Sequence, residues 1–208
     1  MKKSDYIVLF LIIVSFALAI YLYPSMPGKM PTHWNSKGVV DGYSSKALGL
    51  FLMPSILVFI WLLFYFIPKV AVYKNHFKQH EKEYNSFKVI IALFLFILYI
   101  VTILATKGYK FNMNYVVMTM VAFLFYFIGT ILPNIKRNYF FGIRTPWALS
   151  SDKVWNATHI MGGKIFKAFA LLFLITMFLP KGIWIMLSGL LLGIIYLFYY
   201  SYSEFKKK

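Results

Sequence analysis

The chain has no cysteine and only six acidic residues among 208. The first absence excludes disulfides, thiolate metal sites and cysteine nucleophiles. The second leaves few carboxylates for acid–base chemistry. Ionisable groups are also missing where a coupled transporter needs them. No Asp, Glu or His falls within the long apolar runs, whereas proton relays and coupling-ion sites place such residues inside the membrane. The polar residues there are neutral, among them Ser15, Ser55, Thr102, Thr119, Thr176 and Ser188. Paired broken helices in two halves are absent too, since Pro54 stands alone away from the ends of the spans. Together these absences argue against a secondary transporter and leave a neutral pore or a lipid-handling role open.

Apolar surface is what the chain has in excess. It is 61% hydrophobic and 21% aromatic, with a mean hydropathy of +0.70, outside the range of soluble domains. Residues 6–23, 47–68, 89–106, 115–133, 165–180 and 183–200 form apolar runs, each near the length that crosses about 30 Å of hydrocarbon as a helix. The expected fold is an all-α integral membrane protein, a bundle of about six transmembrane helices in a single domain over residues 1–208. Lys167, near the start of the fifth run, must snorkel, and Pro54 is expected to kink the second. Lys2 and Lys3 ahead of an apolar run with Ala17-Leu18-Ala19 imitate a signal peptide, but the run continues to Tyr23. An uncleaved anchor is the expectation.

Charge sets the orientation. Sixteen of the 22 Lys and Arg residues lie at the two termini or in the segments 69–88 and 134–167. The positive-inside rule then makes both termini and the 69–88 and 134–164 loops cytoplasmic, and the 24–46 loop external. The net charge of +16 is accounted for by this topology and by attraction to anionic lipids. Direct nucleic-acid binding is not expected.

Two loops carry residues that make directed contacts. The outer loop contains Met30-Pro31-Thr32-His33-Trp34-Asn35, then Gly38 and Asp41-Gly42. Its prolines stiffen the chain as it leaves the membrane, and its Asn, Asp and Gly residues supply turn chemistry. A compact hairpin or omega-like loop is expected. His33, Trp34, Asn35 and Asp41 suit a docking surface, and His33 with Asp41 offers two ligands towards a metal site. The plainer account has Trp34 in the interfacial aromatic belt and Asn35 and Asp41 closing turns.

The 69–88 loop holds His76 and His80 at a spacing that shares one helix face. Its many charges make a solvated surface segment the default reading. The 134–164 loop is more specific, with Asn138, Gly142, Arg144-Thr145-Pro146-Trp147, Trp155 and His159. Gly142 permits a tight turn or a close backbone approach. Pro146 biases Thr145 to an extended conformation, so the segment should lie across helix ends. Arg144 offers a fork of donors for a carboxylate or phosphate, or a plane that stacks on Trp147 or Trp155. Ser150 or Ser151 before Asp152 suits a helix N-cap, predicting a short helix over 154–159 with Trp155 and His159 on one face. The alternative uses are a lipid-phosphate contact for Arg144 and interfacial anchoring for the tryptophans.

These two motifs, the second extending through Thr158-His159 to Gly162-Gly163, resemble the SdpI-type immunity family of bacterial integral membrane proteins. The likeness covers essentially the whole chain, including the number and order of spans. Ala148 stands where that family often has Thr. The resemblance implies a multi-pass protein of the bacterial cell membrane that protects against a secreted, membrane-active peptide toxin of the sporulation-delaying type, with neither catalysis nor cofactor. The toxin would meet the outer loop at His33, Trp34, Asn35, Gly38 and Asp41. It also implies that the cytoplasmic motif can sequester a small DNA-binding repressor. Two other readings remain at this stage. One is a headgroup-modifying enzyme using His159 as base, with Asp152 and Arg144 clamping a phosphate. The other is a transporter or channel.

Overall fold

The computed structural model describes residues 1–70, 79–139 and 141–207. His76 lies outside them, so the expected His76–His80 pair has no structural account. Among the described residues six helices are long and apolar enough to cross a membrane, as the apolar runs predict, and the chain is a multi-pass membrane protein. In order the elements are α1 (Lys3–Leu22), strands β1 (Lys29–Trp34) and β2 (Val40–Ser45), α2 (Lys46–Val70), α3 (Glu81–Thr106), α4 (Met113–Ile131), a short α5 (Pro146–Ser150), α6 (Asp152–Thr176) and α7 (Gly182–Lys206). The two strands form an antiparallel hairpin, the one departure from an all-helical fold in the described chain.

The helices outrun the apolar stretches at their polar ends. α3 begins at Glu81, with Glu81 and Glu83 in its first turn, where carboxylates oppose the positive end of the helix dipole. The fifth membrane helix begins at Asp152 rather than at residue 165. The short helix expected over 154–159 is therefore the start of this long one, and His159 belongs to a membrane helix. Lys167 sits well along that helix rather than near its start.

The chain divides into two compact units. The first comprises α1, the hairpin, α2, most of α3 and the start of α4. Its core joins Val8, Leu11 and Ile12 of α1 to Leu57 of α2 and Ala92 of α3. A second cluster packs Met26 and Met30 with Ala19, Leu50, Tyr99 and Ile103, seating the base of the hairpin on the helices. Pro54 is fully buried within α2. At the N-terminal end, Asp5 accepts from the Lys2 backbone N–H at 2.7 Å and pairs with Lys88 of α3 at 2.5 Å. Ser4 donates to Asn85 beside them at 2.8 Å. Lys88, counted by its charge at the end of the 69–88 loop, is buried on α3. The acid at α1 gives its ammonium a partner inside the protein.

The second unit holds the rest of α4, α5, α6, α7 and residues 79–84. Phe169, Ala170 and Phe173 of α6 pack with Ala122 of α4 and Met186 of α7. His80 is buried here, edge-on to Phe141 with ring centroids 5.4 Å apart. It departs from the solvated reading, because Phe141 covers it. The turn into α7 is tight. A Cβ on Gly182 would lie 1.8 Å from the Thr176 carbonyl oxygen.

Candidate functional site

The first motif forms a hairpin, one of the two shapes expected of this loop. Asn35 makes its tip. Its side-chain oxygen accepts from the backbone N–H of Lys37 at 2.9 Å and of Val39 at 3.2 Å, and its own N–H donates to the Val39 carbonyl at 2.9 Å. This is the Asx chemistry that lets Asn replace a backbone turn. Gly38 adopts φ +76°, and a Cβ there would meet the Asn112 side-chain oxygen at 2.1 Å. The glycine thus serves both the turn and the close approach of the connection between α3 and α4. His33 Nδ1 and Asp41 Oδ1 contact each other across the strands, with their side chains 70% and 43% exposed. The pair is an accessible polar spot on the hairpin. Trp34 is half-buried beside it. Among the described residues no group of three or more His, Cys, Asp or Glu is placed to hold a metal.

The second motif is built around two buried rings. Trp155 and His159, one turn apart on α6, are both fully buried and stack with centroids 4.0 Å apart and planes at 20°. The Trp155 indole N–H donates to the Ile135 carbonyl at 2.6 Å. His159 Nδ1 lies 2.9 Å from the Trp155 carbonyl, and its Nε2 accepts from the Ile143 backbone N–H at 3.0 Å. Only the neutral tautomer protonated at Nδ1 satisfies both contacts. His159 therefore staples the irregular 135–145 segment to α6. Its ring is buried and both nitrogens are engaged within the protein.

The other motif residues complete the same structure. Asn138 is buried, donates to the Lys136 carbonyl at 2.9 Å and accepts from the Phe141 N–H at 2.9 Å. Gly142 has φ +111°, and a Cβ on it would fall 2.4 Å from His159 Nε2. Thr145 is extended (φ −71°, ψ 154°) and caps α5, accepting from the Ala148 N–H at 3.1 Å, with Pro146 in the first helical turn. Its buried hydroxyl also contacts that of Ser201 on α7. Ser151 caps α6, accepting from the Val154 N–H at 3.4 Å. Trp147 packs on Tyr202 and Phe198 of α7, with centroids 5.1 and 6.3 Å away.

The Arg144 guanidinium donates to the Tyr139 carbonyl at 2.7 Å, and the face of Trp155 is taken by His159. Arg144 and Tyr139 are both exposed. Arg137 was missed as a site residue. It donates to the Leu149 carbonyl at 2.9 Å and pairs with Asp152 at 2.8 Å, tying the segment to the first turn of α6. In the sequence it reads as one more topological charge. Ser201 gave no local signal at all.

Gly142→Ala should destabilise the protein by about 2–4 kcal/mol, combining left-handed strain with the loss of His159's position. Thermal unfolding of the purified variant measures this. An unchanged midpoint would mean that the close approach of Gly142 and His159 is not structural.

Comparison with known proteins follows the same two segments. The family model DUF1648, a domain of unknown function, matches residues 10–58, spanning α1, the hairpin and the start of α2. The SdpI/YfhL protein family model matches residues 134–203, spanning the second motif, α6 and most of α7. The chain is 25% identical over 207 residues to "Immunity protein SdpI" of Bacillus subtilis (strain 168), covering 99% of this chain and 97% of that protein. No solved structure matches. Two family matches in chain order, with an alignment along nearly the whole of both proteins, make this chain similar from end to end to the SdpI-type family.

Proposed function

We propose that this chain is a membrane immunity protein, protecting a bacterial cell against a secreted, membrane-active peptide of the sporulation-delaying type. The end-to-end alignment with an immunity protein carries the reading. The geometry adds a division of labour. On the hairpin, the exposed His33–Asp41 pair beside half-buried Trp34 offers a polar contact flanked by apolar surface, which suits an amphipathic peptide lying on the outer membrane surface. We take both termini and the Arg144 segment to be cytoplasmic, following the Lys and Arg distribution.

In the second motif, Asn138, Thr145, Trp155 and His159 are buried and act by holding the segment in shape. A repressor docking there would meet Arg144 and Tyr139, the exposed edge. Its capture would appear as a shift of the repressor from cytosol to membrane when the chain is expressed, lost in Arg144→Ala.

A survival assay tests the principal reading. The chain is expressed in a sensitive bacterium lacking its own immunity protein, the cells are challenged with the peptide, and membrane potential is followed. Cells should keep their potential and viability. His33→Ala should require about tenfold less peptide for killing, the effect of losing one contact of hot-spot strength. Depolarisation like that of control cells, with the protein well inserted, would refute immunity to that peptide. Full protection by His33→Ala would remove the hairpin pair from the site.

A further inference from the structure

Within the second unit, α4 and α6 leave an open groove of about 440 Å³. Ala122 and Ala170, both buried, form its floor, while Phe123 and Leu171 stand exposed at its rims. One charged side chain lines it, Lys167. The apolar run of α6 starts at residue 165, so Lys167 lies about 3 Å inside its Asp152-side end and about 14 Å from the Thr176 end of the helix. Its ammonium lies 5.8 Å from the centroid of the Tyr126 ring. Among the described residues no ion pair joins it to a carboxylate.

A cation at this depth is costly unless it reaches an interface or meets an anion. The Asp152 side is the nearer end of the apolar run for Lys167, and Cα–Cβ bonds of a helix tilt towards its N-terminus. The groove runs the opposite way, along Leu171 to Leu174, which lies about 10 Å further along the helix. A cation at the headgroup end of an apolar trough aligned with the helix is complementary to a phospholipid.

We propose that this groove seats one anionic phospholipid of the leaflet on the Asp152 side, its phosphate on Lys167 Nζ and an acyl chain over Ala122 and Ala170. The phosphate supplies the missing counter-charge through a charge-assisted hydrogen bond, and the chain covers the alanine floor. This differs from the diffuse attraction of a basic surface to anionic lipid, because one seat with one cation has a stoichiometry and a headgroup preference. The site does not depend on the immunity reading.

The test uses the purified full chain in detergent, offered equal amounts of phosphatidylglycerol and phosphatidylcholine with identical acyl chains. Native mass spectrometry counts the bound lipid. One phosphatidylglycerol should be retained, with a preference of about fivefold, matching one cationic contact near the membrane surface. Lys167→Gln should bring the two lipids to parity and Lys167→Arg should keep the preference, which separates headgroup contact from damage to the fold. Lys153→Gln, an equal charge change on the exposed first turn of α6, should leave the preference intact. Leu174→Trp should narrow the trough and lower retention of both lipids. A preference that survives Lys167→Gln, or falls equally in Lys153→Gln, would overturn the proposal. So would equal retention of the two lipids by the parent, or a lipid-free dimer whose interface covers the groove.

Discussion

Trp155→Ala is expected to destabilise the protein by about 3–5 kcal/mol, the range for truncating a buried large aromatic residue. Three losses coincide. The fully buried indole leaves a cavity, the Ile135 carbonyl loses its donor at 2.6 Å, and His159 loses the ring stacked against it. The last loss frees the group that accepts from the Ile143 N–H, so the damage should spread along residues 135–145. Trp155→Phe keeps a ring on His159 and loses only the indole donor, which should cost about 1–3 kcal/mol. Denaturant unfolding in mixed micelles compares the variants. An alanine variant within about 1 kcal/mol of the parent would show that the stacked pair is not the anchor of the segment. On the proposed function, Trp155→Ala should also lose protection by way of folding and membrane level, whereas Arg144→Ala should leave stability nearly unchanged.

Lys88→Met should cost a similar amount, about 3–5 kcal/mol, because it strands the Asp5 carboxylate in a buried site. The side chains of the pair are only 3% and 5% exposed. The bond joins α1 to α3 across 83 positions in sequence, and Ser4 with Asn85 reinforces the same junction. Asp5→Asn combined with Lys88→Met should recover most of the loss. Asparagine still accepts from the Lys2 N–H, and no buried charge remains. Such non-additivity is the signature of a coupled pair. A double variant as unstable as the sum of the singles would show that the residues act independently and that the ion pair adds little.

Much of the second motif was legible because its chemistry is local. Gly142 is the residue that a tight turn selects, Pro146 biases Thr145 to the extended conformation it adopts, and Ser150 or Ser151 before Asp152 marks a helix start. The helical spacing of Trp155 and His159 also put them on one face. The same locality made the hairpin tip readable, since Asn35 and Gly38 act within five residues of each other. The use of Arg144 was left open for a reason of a different kind. Its donor fork fits several acceptors, and which one it meets depends on what His159 has already covered. Lys88 and Arg137 were read as topological charges because a sequence shows the sign of a charge and not its partner.

The sequence by itself determined the six membrane helices, a compact turn-rich loop after the first of them and the two segments in which directed contacts concentrate. Hydrocarbon thickness, backbone hydrogen bonding and turn preferences act over a few residues or one helix length, so composition and spacing are enough. Tertiary structure alone decided that Asp5 meets Lys88, that Thr145 meets Ser201, and that His159 is a buried staple rather than an accessible base. Only the packing of α4 against α6 set Lys167 at the end of an apolar groove. Such pairings depend on which helix faces touch, and that is settled by the best joint burial of many side chains at once.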